Sequence, residues 1–588
     1  MRWLMFVVLS GLLSGSTLAQ SGWQEKVNPD VLADLSAGGT AEVIVVFQAQ
    51  ADLRGAYQLH GKEAKGQFVF NQVRAVAERT QGNVRRLLTA AGQDYRAFRI
   101  VNALVARLDY NQARQIAALS EVKQLQANPW APLDEPLRDR STVGHSRNVI
   151  EWGLERIQAD DVWALGIQGS GIVVGGQDTG VEWYHPNIQQ QYRGYSLEGD
   201  VDHNYNWHDA IHELSPLNGD TINDPSQNPC GLDSAVPCDD NNHGTYTVSI
   251  MIGDDGAGNQ TGVAPLATWM GCRNMDRGAG SPATYIECFD WFLAPTDLAG
   301  ENPDPSLAPH VINNSWGCPL EEGCNPDNFA LMEQAVEALR AAGVVVVVSA
   351  GNSGPGCGSV DDPAAIFAGS FAVGATRSND TIANFSSRGA VTVDGSMRLK
   401  PDISAPGVGI RAARRNDGYM SASGTSAAGP FVAGTVALMI EANPALAGEV
   451  DTIEQILRQT AVPMLSGQSC GPFPGGEIPN AVYGYGRLDA LAAVLRAQQT
   501  VITGVAEMAG EANWLVFPNP AREQVYLTGQ WNAEQATWRL FSSNGRLVQE
   551  RALEQPSAVI SLMGLPGGVY WYQISAAGAV RTGRLVVM

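Results

Sequence analysis

Four short runs of this 588-residue chain carry side chains suited to attack on a carbonyl. Gly171-Ile-Val-Val-Gly-Gly-Gln-Asp178-Thr-Gly180 reads as a strand that ends in a carboxylate just before a glycine turn. Asn242-His243-Gly244-Thr245 sets a histidine at the start of a helix-like apolar run, Tyr246 to Ile252. Val348-Ser-Ala-Gly-Asn352-Ser-Gly-Pro355 follows a hydrophobic strand and offers an amide. Ser423-Gly-Thr-Ser426-Ala-Ala-Gly-Pro430 places a hydroxyl among small residues, before an apolar helix from Phe431 to Ile440. Amide hydrolysis by a serine needs a base for the hydroxyl proton, an acid to orient that base, and donors for the oxyanion. Ser426, His243 and Asp178 are of the right types for nucleophile, base and orienting acid. The helix N-terminus at Ser426 adds a backbone N–H and a favourable dipole, and Asn352 is a candidate second donor, a contribution on the order of 3 kcal/mol. Taken singly each run is weak: an Asp before a turn is usually an Asx cap, a lone His is more often structural, and Gly-Thr-Ser can be a plain loop.

Groups from four distant runs need a rigid frame. From Val149 to about Ala497, short β-branched runs alternate with Gly-rich turns and helical stretches, among them Val311-Ile-Asn, Val344 to Val348 and Phe371-Ala-Val. Buried parallel strands separated by helices give this rhythm, so the fold class is α/β, a doubly wound, mostly parallel sheet. In such sheets sites form at the C-terminal ends of the strands. Upstream, Ala41 to Phe47 reads as a buried strand, about 53–91 as helix-compatible, Phe98 to Leu108 as a second strand, 112–119 as a short helix and Val122 to Gln126 as a last strand. That βαββ-like order makes a small α+β domain. Residues 129–148, with Pro129, Pro132 and Pro136, read as a linker. Beyond a second linker, 498–509, residues 510–588 alternate like strands around turns such as Asn544-Gly545 and Pro566-Gly567-Gly568, an all-β sandwich module.

The chain is too long for one core. Its 44% hydrophobic and 17% charged residues are those of a folded protein. A net charge of −22 makes a phosphate backbone a poor partner, so nucleic acid is not expected. Met1-Arg2, the apolar run Trp3 to Leu13 and Thr17-Leu18-Ala19 form an export signal, 1–19, too short for a permanent membrane span. All eight cysteines lie between 230 and 470, which in an exported domain suggests disulfides; Cys230–Cys238 and Cys318–Cys324 are the nearest pairs.

In chain order, Asp-Thr-Gly, His-Gly-Thr, Ala-Gly-Asn and Gly-Thr-Ser together resemble the subtilisin family across about 150–497. Val263-Ala264-Pro265, Asn314-Ser315-Trp316-Gly317 and Ala405-Pro406-Gly407 fit as well, and the Asn314 run with Trp291-Phe-Leu-Ala-Pro295 looks most like the bacillopeptidase F branch. The resemblance implies a secreted serine endopeptidase working through an acyl-enzyme, with Asp178 orienting, His243 as base then acid, Ser426 attacking and Asn352 holding the oxyanion. It implies a substrate cleft lined by Ser315, Trp316, Gly317, Ala350 and Gly351, with Ser315 to Gly317 taking peptide as an added strand. It implies no cofactor for catalysis, structural calcium, polypeptide substrates and action as a monomer. Residues 20–128 stand where such enzymes carry an inhibitory prodomain, with maturation inside 129–148. The last segment, from Val516-Phe-Pro-Asn-Pro-Ala521 to Met588, resembles a type IX secretion sorting domain, which implies secretion machinery as partner and release or surface attachment.

Two neighbours of catalytic residues depart from the family pattern: Tyr246 stands where a second histidine is usual and Ala427 where methionine is usual. The long gap from Asp178 to His243 implies an insertion holding Cys230 and Cys238. In Val360-Asp361-Asp362-Pro363, an Asp361 facing the pocket would favour cleavage after Lys or Arg; a calcium ligand or solvated turn is the competing assignment. His208-Asp-Ala-Ile-His212 has the spacing of zinc peptidases, with His203 and Glu213 nearby, but Asp209 is short for the general base. Acidic loops at Asp220 to Asp224 and Asp239-Asp240 are calcium candidates without an EF-hand pattern. An inactive binding scaffold would be expected to lack a triad residue, and none is missing.

Overall fold

The valine-rich runs form strands because their branched side chains are covered on both sides: Val345, Val346, Val347 and Val348 are all buried. The computed structural model describes residues 22–133, 137–138, 149–196, 198–219 and 227–502, and in the last part 514–517, 521–522, 524–529, 536–542, 546–553, 557–576 and 579–587. The export signal and Asp220 to Asp224 lie outside the described residues. The chain makes two compact units, 1–500 and 501–588.

The first unit opens with α1 (Pro29–Ser36), β1 (Ala41–Phe47), α2 (Lys62–Thr80), α3 (Gly82–Ala90), β2 (Tyr95–Phe98), β3 (Ala103–Leu108), α4 (Tyr110–Ala117) and β4 (Val122–Ala127). The strands form an antiparallel sheet in the order β2-β3-β1-β4. The run Phe98 to Leu108 is a hairpin, not the single strand its composition suggests. Its turn is fixed from outside: the N–H groups of Arg99 and Ile100 donate to Asp290 Oδ1 at 2.8 and 2.6 Å, and Asn102 N–H donates to Gln50 at 2.8 Å. Those donors are lost to a strand ladder. Along β1, Val43, Val45 and Phe47 join the cluster that holds Val84, Leu88 and Ile116, while Ile44 and Val46 join one that runs on to Phe289 and Phe329. Alternation on a strand thus splits the sheet between its own helices and the next domain.

Two short strands follow, β5 (Ala131–Pro132) and β6 (Leu137–Arg138), then β7 (Val149–Ile150), α5 (Trp152–Arg156), α6 (Ala159–Ala164), β8 (Val173–Asp178), β9 (Trp207–Asp209), α7 (His243–Ile252) and β10 (Asn259–Gln260). The chain continues as β11 (Thr268–Arg273), β12 (Met275–Asp276), β13 (Ala279–Gly280), α8 (Pro282–Leu293), β14 (Val311–Asn314), α9 (Pro326–Ala341), β15 (Val345–Ser349), β16 (Phe371–Thr376) and β17 (Ile403–Pro406). It closes with β18 (Ile410–Arg414), β19 (Gly418–Ser423), α10 (Thr425–Ala442), α11 (Val450–Thr460) and α12 (Ala490–Gln499).

The main sheet is parallel, with order β17-β16-β15-β14-β8-β11-β9. Helices cover both faces: a Cβ at Gly175 would meet Phe292 of α8 at 2.8 Å, and one at Gly176 would meet Val248 of α7 at 2.9 Å. The strand order reverses at β8, which has β14 on one side and β11 on the other, so a crevice opens at the C-terminal ends of these strands. Helix α10, buried from Thr425 to Ile440, runs behind β14 to β17 and beside α7. All eight cysteines are paired: Cys230–Cys238, Cys272–Cys288, Cys318–Cys324 and Cys357–Cys470.

The second unit contains β20 (Trp514–Phe517), β21 (Gln524–Gly529), β22 (Ala536–Ser542), β23 (Leu547–Leu553), β24 (Ser557–Ser561), β25 (Gly568–Ala576) and β26 (Ala579–Val587). They form two antiparallel sheets, β20-β21-β24 and β23-β22-β25-β26, around a shared core of Leu527, Ile560, Trp538, Leu540 and Ile574. The turn at Asn544-Gly545 lies outside the described residues.

Candidate active site

Two of the four runs end at the C-terminal edge of the main sheet, and Asn314 to Gly317 leaves the same edge. Asp178 is the last residue of β8, Asn314 ends β14 and leads into Ser315 to Gly317, and Ser349 ends β15 and leads into Ala350 to Asn352. The helices behind the sheet supply the others: His243 opens α7, and Ser426 is the second residue of α10.

Asp178 Oδ1 and His243 Nδ1 are 2.7 Å apart, with side chains 2% and 1% exposed. The same carboxylate accepts from the N–H of Thr179 at 2.7 Å and the hydroxyl of Thr247 at 3.2 Å. Asp178 is thereby fixed in orientation, and with it the imidazole. The approach is close: a Cβ at Gly244 would stand 1.9 Å from the carbonyl oxygen of Gly180, so no side chain fits there. A residue absent from the sequence-level site holds this turn. Asp239 accepts from Thr179 Oγ1, from the N–H groups of Asn241 and Asn242, and from Thr245 N–H and Oγ1, at 2.6–3.0 Å.

The N–H of Thr425 donates to Asn352 Oδ1 at 2.8 Å, and its hydroxyl donates at 3.0 Å. With Oδ1 committed to the residue before Ser426, the Nδ2 group of Asn352 is turned to the other side of the amide. Tyr246 is buried, and its hydroxyl donates to the carbonyls of Ile410 at 2.9 Å and Ala422 at 3.3 Å. Burial holds that phenol well above its ordinary pKa. Tyr246 therefore braces α7 against the β18–β19 hairpin that leads into Ser426, and Ala427 is buried within α10.

The expected cleft residues divide. Ser315 points into the sheet, where its Oγ accepts from Asn313 at 3.0 Å and Ser349 at 3.1 Å. Trp316 lies flat on Tyr285, ring centres 3.8 Å apart and planes at 11°. Tyr285, which sequence reasoning passed over, donates to Gly317 O at 3.3 Å. Ala350 is buried, and its N–H donates to Val373 O at 3.1 Å. Gly351 and Gly317 flank the carboxylate of Asp362. Asp361 is half-buried, and burial followed by the charge of Glu321 raises its carboxyl.

The backbone leaving the N-terminal domain crosses this edge. Ala131 and Pro132 pair antiparallel with Gly280 and Ala279, and Leu133 N–H donates to Gly278 O at 2.6 Å. Leu137 and Arg138 then pair with Ser423 and Ala422, just ahead of Ser426. The strand addition seen here is thus to Ala279–Gly280, a segment the motif reading did not single out.

The other singled-out carboxylates and histidines are engaged elsewhere. Asp209 and Asp240 both bind the buried guanidinium of Arg273, at 2.9 and 2.5 Å, and burial pushes Asp240 up to about 7. His208 starts from a strand, not a helix; its Nε2 and that of His212 meet Glu287 Oε1 at 3.0 and 2.7 Å, while His212 Nδ1 faces Asp233 at 2.5 Å. Tyr192 is 2.9 Å from His203, and Arg107 pairs with Glu213 at 2.6 Å. Among the described residues no group of three or more His, Cys, Asp or Glu gathers as a metal site.

Comparison with known proteins bears on the family of the chain. The subtilase family matches residues 169–486, more than half of the chain, and a secretion system C-terminal sorting domain matches 515–588. The chain is 32% identical over 467 residues to bacillopeptidase F of Bacillus subtilis (strain 168), covering 76% of this chain and 30% of that protein. It is 30% identical over 325 residues to M-protease of Shouchella clausii (strain KSM-K16), 55% of this chain and 67% of the relative. Over 296 residues it is 30% identical to subtilisin Savinase of Lederbergia lenta, 50% of this chain and 86% of the relative. The chain spans less than a third of the length of bacillopeptidase F. This chain belongs to the subtilase family, the subtilisin-like serine peptidases.

Proposed function

We propose that the chain is an exported serine endopeptidase, made as an inhibited precursor, that cuts polypeptides through Asp178, His243 and Ser426. The observation that carries this reading is the buried Asp178–His243 pair at 2.7 Å, set at the same sheet edge as the start of α10. Ser426 Oγ attacks the scissile carbonyl while His243 Nε2 takes its proton. Asp178 keeps the other ring nitrogen protonated and stabilises the imidazolium. The oxyanion is met by Asn352 Nδ2 and the backbone N–H at the start of α10. Collapse transfers the proton from His243 to the leaving amine and leaves an acyl-serine. Water, deprotonated by His243, then releases the acid. None of these steps draws on a cofactor.

Inhibition before maturation is supported by the strands at Ala131–Pro132 and Leu137–Arg138, which pair with Ala279–Gly280 and with Ala422–Ser423, three residues ahead of Ser426. Ser426 is only 2% exposed in the uncut chain. The N-terminal domain is bound to the peptidase domain through charge-assisted bonds: Arg99 to Asp290 at 2.9 Å, and Lys65 of α2 to Glu449 at 3.2 Å. Residues 1–19 and the sorting-domain match at 515–588 support passage out of the cell, with release or surface attachment to follow. A fluorophosphonate probe followed by peptide mass mapping tests the assignment. The adduct is expected on Ser426 of the matured protein; an adduct on another serine would refute it.

A further inference from the structure

Helix α7 begins on His243, and the residue before it does not cap it. Asn242 sits at φ 109°, and its side-chain amide donates to Asn241 O instead of accepting from the helix. The N–H groups of the first turn are met from elsewhere in the chain. Gly244 N–H donates to Thr179 Oγ1 at 3.0 Å, and Thr245 N–H donates to Asp239 Oδ2 at 3.0 Å. The Thr179 hydroxyl donates in turn to Asp239 Oδ1 at 3.0 Å, and that of Thr245 to Oδ2 at 2.6 Å. With the N–H groups of Asn241 and Asn242, five donors converge on a carboxylate whose residue is 2% exposed. Each group it meets is a donor, so Asp239 stands as the anion.

One carboxylate is thus shared by the two segments that carry the base and its acid. Its backbone bridges to Gly180, and its side chain reaches Thr179, which follows Asp178 directly. Its other oxygen holds Thr245, within the first turn that His243 opens. The Cys230–Cys238 disulfide ends on the residue before it. Charge matters beside place. An imidazolium formed at His243 stands at the positive end of α7, which works against it. Asp178 answers at Nδ1, and Asp239 sets a second buried anion at that helix end. Asp240, next along the chain, is taken up by Arg273, which also holds Asp209. We propose that Asp239 is a positioning residue for His243: it fixes the base against Asp178, and its charge supports the imidazolium that forms during turnover. The inference rests on the serine-peptidase reading above and adds a fourth side chain to it.

The test uses the matured protein and reads kcat, KM and the acid limb of kcat/KM against pH, which reports the free base. Asp239→Asn keeps the size and loses the charge. Its kcat is expected to fall about 10- to 100-fold with KM within about twofold. Its acid limb should move to lower pH by about 0.5–1 pH unit, because the imidazolium loses a nearby anion. Thr179→Val removes bonds to Asp239 and Gly244 and leaves the charge, so kcat should fall about tenfold with the limb unmoved. Asp239→Glu restores the charge and should return the limb to its native place. A folded Asp239→Asn with native kcat overturns the inference. So does a slow one whose limb has not moved, since loosened packing alone would give that. If Asp239→Asn does not fold, native kcat in Thr179→Val overturns it instead. Fluorophosphonate labelling, read in parallel, separates the two levels. A native protein that labels at Ser426 and cuts peptide, with variants that match it, overturns only the role of Asp239. One that neither labels nor cuts any peptide overturns the peptidase reading with it.

Discussion

His243 Nδ1 lies 2.7 Å from Asp178 Oδ1, and the two side chains together are almost wholly excluded from water. A buried imidazole with a fixed acceptor on one nitrogen has its tautomer chosen for it, and Nε2 is left as the base. Replacing that acceptor with an amide removes the choice. Asp178→Asn is expected to lower kcat by on the order of 10^3- to 10^4-fold with little change in KM, because the groups that hold peptide are untouched. Steady-state kinetics on the matured protein check this; a drop under tenfold would mean that Asp178 is not the orienting acid.

Asn352 carries the second claim about the transition state. Asn352→Ala is expected to cost about 3 kcal/mol of transition-state stabilisation, roughly a hundredfold in kcat. Because Oδ1 also anchors Thr425, Asn352→Asp serves as the comparison: it keeps the acceptor and loses the donor. Both should be slow if the donor is what matters, and a fast Asn352→Asp would place the role in the anchor alone.

The Cys357–Cys470 disulfide closes a loop with a sequence separation of 113, far longer than the other three. Loop-closure entropy then predicts that Cys357→Ser with Cys470→Ser lowers stability by about 3–5 kcal/mol. Removing Cys318–Cys324, with a separation of 6, should cost less. Urea midpoints on full-length chains carrying Ser426→Ala compare the two directly.

His212 gives a pH dependence. Burial alone would lower its pKa, but the charge and hydrogen bond of Glu287 and the bond to Asp233 outweigh that and raise it from 6.5 to about 9. A raised histidine pKa adds stability in full below pH 6.5, and that stability is lost as pH climbs through 9. The loss is on the order of 2 kcal/mol, since the ring is partly exposed. Thermal melts of the Ser426→Ala precursor between pH 6 and 10 should show the decline, and His212→Gln should flatten it.

The runs proposed to carry the chemistry stand out because each is local: a strand end, a turn in which only glycine fits at 244, a helix start. The parallel sheet was legible for a similar reason, since strands buried on both faces show as unbroken valine. What could not be read depends on partners far along the chain. Phe98 to Leu108 breaks into a hairpin because Asp290 captures the N–H groups of Arg99 and Ile100, and nothing local announces it. Cys230–Cys238 and Cys318–Cys324 follow from short spacing, whereas Cys272–Cys288 joins a strand to a helix across the core. Asp239 and Asp240 carry the composition of a calcium loop, yet one holds the His243 turn and the other neutralises Arg273. Tyr246 stood out as a departure from pattern; its hydrogen bonds to Ile410 and Ala422 show what the larger side chain does.

Casein hydrolysis by the matured protein, beside Ser426→Ala and with EDTA added to each, tests the central claim most directly. Activity that is present in the native protein, persists in EDTA and vanishes in Ser426→Ala is the predicted result. Activity that survives Ser426→Ala, falls with EDTA and returns with zinc would contradict it and move the chemistry to His208 and His212.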